Sequence, residues 1–113
     1  MTQGLFCYGT LRDDAVQREI FGRVLESRAE VLGGYRLKRV RVLDQAFVAA
    51  SGAEYHRTLD RTNCASDQVE GMALTVSDRE LALADSYEPA GYERVLVELA
   101  SGTMAWVYLS TGE

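Results

Sequence analysis

The apolar run Leu5-Phe6-Cys7-Tyr8 ends abruptly at Gly9-Thr10. Four apolar residues closed by a turn signal predict a buried strand, because a helix needs about ten or more residues repeating at 3.6. Asp13 or Asp14 then caps a helix over Ala15 to Phe21, where Val16, Ile20 and Phe21 recur at helical spacing and Gly22 supplies the stop. A short strand followed at once by a short capped helix sets the pattern for the rest of the chain.

Ala29 to Leu32, Gly33-Gly34 and Tyr35 to Leu37 predict a hairpin, since paired glycines accept the positive φ of a two-residue primed turn. The return strand runs to about Val42, with Arg39 and Arg41 on one face, either solvated or facing an anionic ligand. Gln45 to Ala50 is read as a strand, Ser51-Gly52 as a turn, and Thr58 to Asp67 as a polar loop or irregular edge. Val69 to Val76 is a further strand, with Gly71 marking a bulge or a close backbone approach.

Ser77 and Glu80 stand at capping-box spacing and open a second helix that runs toward Pro89, the only proline. Tyr92 to Leu99 alternates Val95, Val97 and Leu99 against Arg94, Leu96 and Glu98, and turns at Ser101-Gly102. Met104 to Leu109 returns as the second half of a hairpin, with Trp106 and Tyr108 on one face. The order β, α, several β, α and a β hairpin predicts an α+β domain with a mixed or mostly antiparallel sheet.

At 113 residues, 47% apolar and 26% charged, the chain has material for one domain around one core, spanning residues 1–113. That apolar share argues against disorder. No apolar run approaches the ~18 residues of a membrane span, and Met1 to Leu11 lacks the pattern of a signal peptide, so a cytoplasmic protein without a membrane partner is expected. Cys7 and Cys64 are far apart, with no ligand-spaced neighbours, and suggest neither a disulfide nor a metal site. A net charge of −5 repels phosphate and argues against a nucleic-acid partner, the one basic cluster being Arg36, Lys38, Arg39 and Arg41.

Two places carry possible chemistry. Asp85 and Glu88 sit at the C-terminal end of the second helix, where the macrodipole disfavours a carboxylate by about 0.3–1 kcal/mol. Acids in that position are either harmlessly exposed or retained for proton transfer. The turn Tyr8-Gly9-Thr10-Leu11 is either an ordinary turn or a set of outward backbone N–H groups suited to a carboxylate or an oxyanion. His56, the single histidine, has no Ser or Cys motif beside it, and Cys7 fits a small buried hydrophobe. No phosphate loop or dinucleotide fingerprint is present.

Taken together, Tyr8-Gly9-Thr10-Leu11, Gly34-Tyr35-Arg36-Leu37, Val69-Glu70-Gly71, Leu83 to Glu88 with Tyr92-Glu93-Arg94, and Ala105-Trp106-Val107-Tyr108 resemble the gamma-glutamylcyclotransferase-like family. Only about Gln45 to Gln68 is unmatched. The resemblance implies a small mixed, mostly antiparallel β-barrel with helices outside and a pocket at one end. It implies Glu88 as the catalytic acid/base, Tyr8, Gly9, Thr10 and Leu11 as the γ-glutamyl-binding turn, and Tyr92 and Tyr108 as pocket residues.

The implied reaction is intramolecular attack of an α-amine on a γ-carbonyl, releasing 5-oxoproline and an amine from a small γ-glutamyl substrate. No cofactor is implied. Pro89 follows the glutamate where relatives often have glycine, and the middle segment lacks the Tyr-Pro pair that many relatives carry. The alternative on the same fold is a non-catalytic module that binds a small metabolite or a partner. The last hairpin also offers a strand for a possible homodimer.

Overall fold

The computed structural model describes residues 2–41, 55–64, 66–87 and 92–110, with residues 10, 39–41, 55–57 and 110 described as backbone. Its elements are β1 (Thr2–Cys7), a 3-10 turn (Thr10–Arg12), α1 (Asp14–Phe21), β2 (Ser27–Gly33), β3 (Tyr35–Arg41), β4 (Tyr55–Arg61), β5 (Gln68–Ser77), α2 (Asp78–Tyr87), β6 (Tyr92–Glu98) and β7 (Met104–Ser110). The first helix carries both ends that the sequence predicts, and the second carries its predicted N-terminal one. Asp13 accepts a 2.8 Å bond from the Ala15 amide, and Gly22, at φ 78°, returns its N–H to the Arg18 carbonyl. At α2, Ser77 Oγ accepts from the Glu80 amide at 3.1 Å while Glu80 Oε1 accepts from the Ser77 amide at 2.9 Å, the reciprocal pair of a capping box.

Five strands form one sheet in the order β2-β5-β1-β7-β6, and β3 and β4 form a separate two-stranded ribbon. Every pairing in the large sheet is antiparallel except β1 with β7. The architecture is thus α+β with a mixed, mostly antiparallel sheet. Among the described residues the ladder does not close into a barrel. The sheet instead curls until the turn after β6 reaches the opposite edge, where the Ala100 amide donates to the Val31 carbonyl at 2.8 Å.

The two faces of the sheet hold separate apolar clusters. On one face Leu5, Cys7, Leu74, Val76 and Tyr108 pack beneath helical residues that include Leu81, Ala84, Val16 and Ile20. On the other, Phe6, Tyr8, Ala73, Ala105 and Val107 meet Leu59 and Tyr35 of the ribbon. Alternation along β1 sends successive side chains to opposite clusters, which is why a strand so short is apolar throughout its second half.

Two local expectations need revision, and the choice left open at Gly71 is decided. Gly33-Gly34 is not a hairpin turn: β2 pairs with β5 and β3 with β4, so the pair is a corner between two sheets. Gly34 alone takes positive φ, at 81°, and it is held there by bonds to the Asp67 carbonyl and the Thr62 amide, both 2.8 Å. Residues 58–61, read as loop or edge, belong to β4 with Thr58 and Leu59 buried. Gly71 marks a close approach and not a bulge, since the register with β2 runs unbroken through it. A Cβ there would land on the Cys7 carbonyl oxygen and 2.8 Å from Phe6 Cζ.

The sequence readings of Val42, Gln45 to Ala50, Ser51-Gly52 and Pro89 fall outside the described residues, as does the side chain of His56. In the ribbon Arg36 and Lys38 are exposed and share Asp60 at 3.7 Å, a solvated arrangement. Among the described residues no helix is long and apolar enough to cross a membrane.

Candidate functional site

The turn that follows β1 is tied down from three directions. Tyr8, 8% exposed, donates its hydroxyl to the backbone carbonyl of Tyr108 at 2.6 Å, fastening the end of β1 to β7. The Gly9 carbonyl accepts from both the amide and the Nε of Arg12, each at 3.2 Å. Leu11 is buried, and its carbonyl accepts from Gln17 Nε2 at 2.9 Å.

Gln17 is the residue that sequence reasoning missed. It is 2% exposed, and its Oε1 also accepts from the Leu25 amide at 2.9 Å, so one buried amide side chain joins the 3-10 turn to the segment after α1. Its signal was present in the sequence. Gln17 lies three and four residues before Ile20 and Phe21, on the apolar stripe, where an uncharged polar residue has to find partners indoors.

The last turn of α2 is held against the same strand. Asp85 Oδ1 accepts from the Tyr108 hydroxyl at 2.6 Å and lies 3.2 Å from Arg94 Nε. The Arg94 guanidinium lies over the Trp106 ring, 4.5 Å from its centroid, and Trp106 Nε1 donates to Gln3 at 2.6 Å. One neutral and one charged donor thus hold an acid that the helix dipole disfavours. Tyr92 is half-buried against this cluster.

Of the residues singled out in the sequence, the structure therefore joins Tyr8 to Tyr108 directly, sets Tyr92 against the same cluster, and seats Leu11 in the core. Gly9 is half-buried in the turn, and Thr10 starts the 3-10 segment as backbone. Glu88 lies outside the described residues. Two described cavities, of about 220 and 330 Å³, lie elsewhere: neither is lined by Tyr8 to Leu11, Tyr92 or Tyr108. Among the described residues no three His, Cys, Asp or Glu side chains gather as a metal site would require.

Residues 5–113 match the family model for gamma-glutamyl cyclotransferase, AIG2-like proteins. The chain belongs to that family. No curated protein matches it. Among solved structures, this family member is similar to a protein of Arabidopsis thaliana determined in solution, with 27% identity and a TM-score of 0.73, over 98% of this chain and 63% of the other. A second Arabidopsis thaliana solution structure matches at 21% identity and a TM-score of 0.73, over 99% of this chain and 72% of that one. A gamma-glutamyl cyclotransferase matches at 14% identity and a TM-score of 0.75, over 99% of this chain and 68% of its own. The chain thus has the gamma-glutamyl cyclotransferase-type fold and spans less than two thirds of the first of these relatives.

Proposed function

We propose that this family member is a γ-glutamyl cyclotransferase that converts a γ-glutamyl amide to 5-oxoproline and a free amine, with Glu88 as the acid/base. The observation that carries the reading is the hydrogen-bonded path from Asp85 through Tyr108 to Tyr8, at 2.6 Å and 2.6 Å, which ties the helix leading to Glu88 in sequence to the Tyr8 turn. Family membership supports the same reading.

The substrate supplies its own nucleophile. Its α-ammonium gives up one proton and the freed amine attacks the γ-carbonyl carbon; a C–N bond closes the five-membered ring, the ring nitrogen gives up its second proton, the original amide C–N bond breaks, and the leaving nitrogen takes up one proton while the other passes to solvent. No serine or cysteine is required. The work left to the protein is to fold the substrate until amine and carbonyl approach to about 3–3.5 Å, and to move protons off the α-nitrogen and onto the leaving one. In this proposal the Glu88 carboxylate takes a proton from the α-ammonium and delivers it to the leaving nitrogen, then accepts the second proton of the ring nitrogen and passes it to solvent, which requires a pKa near neutrality.

The amides of Gly9, Thr10 and Leu11 hold the glutamyl portion and stabilise charge on the γ-oxygen in the same proposal. The first N–H groups of a helical turn have no partner within it. A turn clamped by Tyr8, Arg12 and Gln17 suits that role, because donors fixed in advance need no reorganisation as charge develops. In the same proposal Tyr92 supplies aromatic surface beside it, and the buried Tyr108 backs the turn through its carbonyl.

The test is release of 5-oxoproline, followed by mass spectrometry, from γ-glutamyl-alanine, γ-glutamyl-n-butylamide and γ-glutamyl-p-nitroanilide. Turnover of at least one by the wild-type chain, lost in a folded Glu88→Gln variant, is the expected result. Turnover that survives Glu88→Gln refutes the assignment of that residue. Binding without product favours the non-catalytic module.

A further inference from the structure

Asp85 stands where a helix least tolerates an acid, yet it is held by two donors from two strands. Its Oδ1 accepts the Tyr108 hydroxyl of β7 at 2.6 Å and faces Arg94 Nε of β6 at 3.2 Å. Both strands are fixed in turn: Arg94 by the Trp106 ring, and β7 by the Tyr8 hydroxyl on the Tyr108 carbonyl. Tyr108 is therefore engaged at both ends, its hydroxyl by α2 and its carbonyl by the residue that opens the Tyr8 turn. The side chain of Asp85 is 42% exposed, so its carboxylate is not needed to fill the core. A partly exposed acid, set against the dipole and bonded to a 5% exposed tyrosine, is a poor device for stability alone.

We infer that Asp85 is a positioning residue for the cyclotransferase reaction: through Tyr108 it fixes the end of α2, just before Glu88 in sequence, relative to the Tyr8 turn. The inference rests on the reading given under Proposed function. It assigns the hydroxyl of Tyr108 to alignment of the helix end. The reason is that the γ-glutamyl-binding turn, Tyr8 to Leu11, and the acid/base, Glu88, come from segments near opposite ends of the chain, far beyond local control. The Asp85 to Tyr108 bond, with the packing of Leu81 and Ala84 on β1, fixes the helix end relative to the Tyr8 turn, and misplacement of a reacting group by about 1 Å can cost about a hundredfold in rate.

The experiment is steady-state kinetics on the three γ-glutamyl amides named above, comparing wild type with Asp85→Ala, Asp85→Asn, Tyr108→Phe and Asp85→Ala/Tyr108→Phe, well below the lowest unfolding midpoint. Asp85→Ala is expected to lower kcat by about ten- to a hundredfold with little change in KM. Asp85→Asn keeps an oxygen for the Tyr108 hydroxyl and is expected to restore most of the loss. The double variant is expected to be no slower than the worse single one, because both remove the same bond.

A purely structural role would lower the unfolding midpoint and leave kcat intact at the assay temperature, and that result overturns the inference. So does a double variant whose losses multiply. If wild type turns over none of the three amides, the cyclotransferase reading falls and this inference falls with it; wild-type turnover with full kcat in Asp85→Ala overturns the inference alone.

Discussion

Gln17 illustrates what a single buried polar side chain does in a small fold. Its amide serves as donor to the Leu11 carbonyl and as acceptor for the Leu25 amide, both in nearly dry surroundings. Replacing it by leucine leaves two buried backbone groups unpaired, at about 1–3 kcal/mol each. Gln17→Leu is therefore expected to lower the unfolding free energy by about 2–4 kcal/mol, read as a fall in the urea midpoint at an unchanged m-value. Gln17→Glu keeps the acceptor for Leu25 and should fall between. A Gln17→Leu variant as stable as wild type would mean that the turn is anchored by other contacts. Such a residue is hard to see in sequence for a physical reason. The apolar stripe of α1 shows that position 17 faces inward, but its partners are backbone atoms, which leave no mark on the residue code. The Tyr8 turn was legible as a candidate because its peculiarity lies in its own residues, a strand end followed by glycine and a small hydroxyl.

At the scale of elements, the capping box of α2 was legible and the corner at Gly33-Gly34 was misread, and the contrast is informative. A capping box is closed within four residues, so Ser77 and Glu80 specify it unaided. Two glycines specify only that the backbone turns. Whether the next strand returns beside the last one or starts another sheet depends on distant partners, here β5 for β2 and β4 for β3. Residues 58–61 of β4 read as loop or irregular edge for the same reason: Thr58 and Asp60 look like loop residues until the ribbon packs Leu59 against the sheet.

Glu80 also accepts two bonds from Arg23, at 2.8 and 3.0 Å, joining the segment after α1 to the start of α2. The Arg23 hydrogen bonds, with help from the Ser77 amide and against the effect of burial, hold the Glu80 carboxyl below its usual range. A carboxyl whose folded pKa is depressed adds stability above its unfolded pKa, near 4.3, and loses it as pH falls through the lower folded value. The stability difference between wild type and Glu80→Gln is thus expected to be full at neutral pH and to shrink steadily below about pH 4. Urea titrations at a series of pH values measure it. A difference that stays constant to the acid limit would show that the carboxylate charge plays no part.

For the molecule as a whole, the question is how an open five-stranded sheet keeps β6 and β7 fixed when β6 is an edge. The answer lies at the far end of their hairpin. There the Ala100 amide bonds Val31 of the opposite edge, Ser101 Oγ donates to the buried Glu30 at 3.2 Å, and Arg28 reaches Thr103 at 3.1 Å while pairing with Glu30 at 2.6 Å. Leu99 and Leu32 share the cluster beneath. The turn therefore does what another strand would do in a closed barrel, and it restrains the hairpin that carries Arg94, Trp106 and Tyr108. A turn in this role has a measurable signature. Ala100 is an exposed residue, whose amide would ordinarily exchange with solvent at nearly the unfolded rate, but a closing bond should open only when the sheet does. In native-state hydrogen exchange the Ala100 amide is expected to share the opening free energy of β2 and β5, far above that of ordinary turn amides. If it exchanges as freely as an unbonded surface amide, the two edges are not joined in solution, and the hairpin's hold on Asp85 has to come from its pairing with β1 alone.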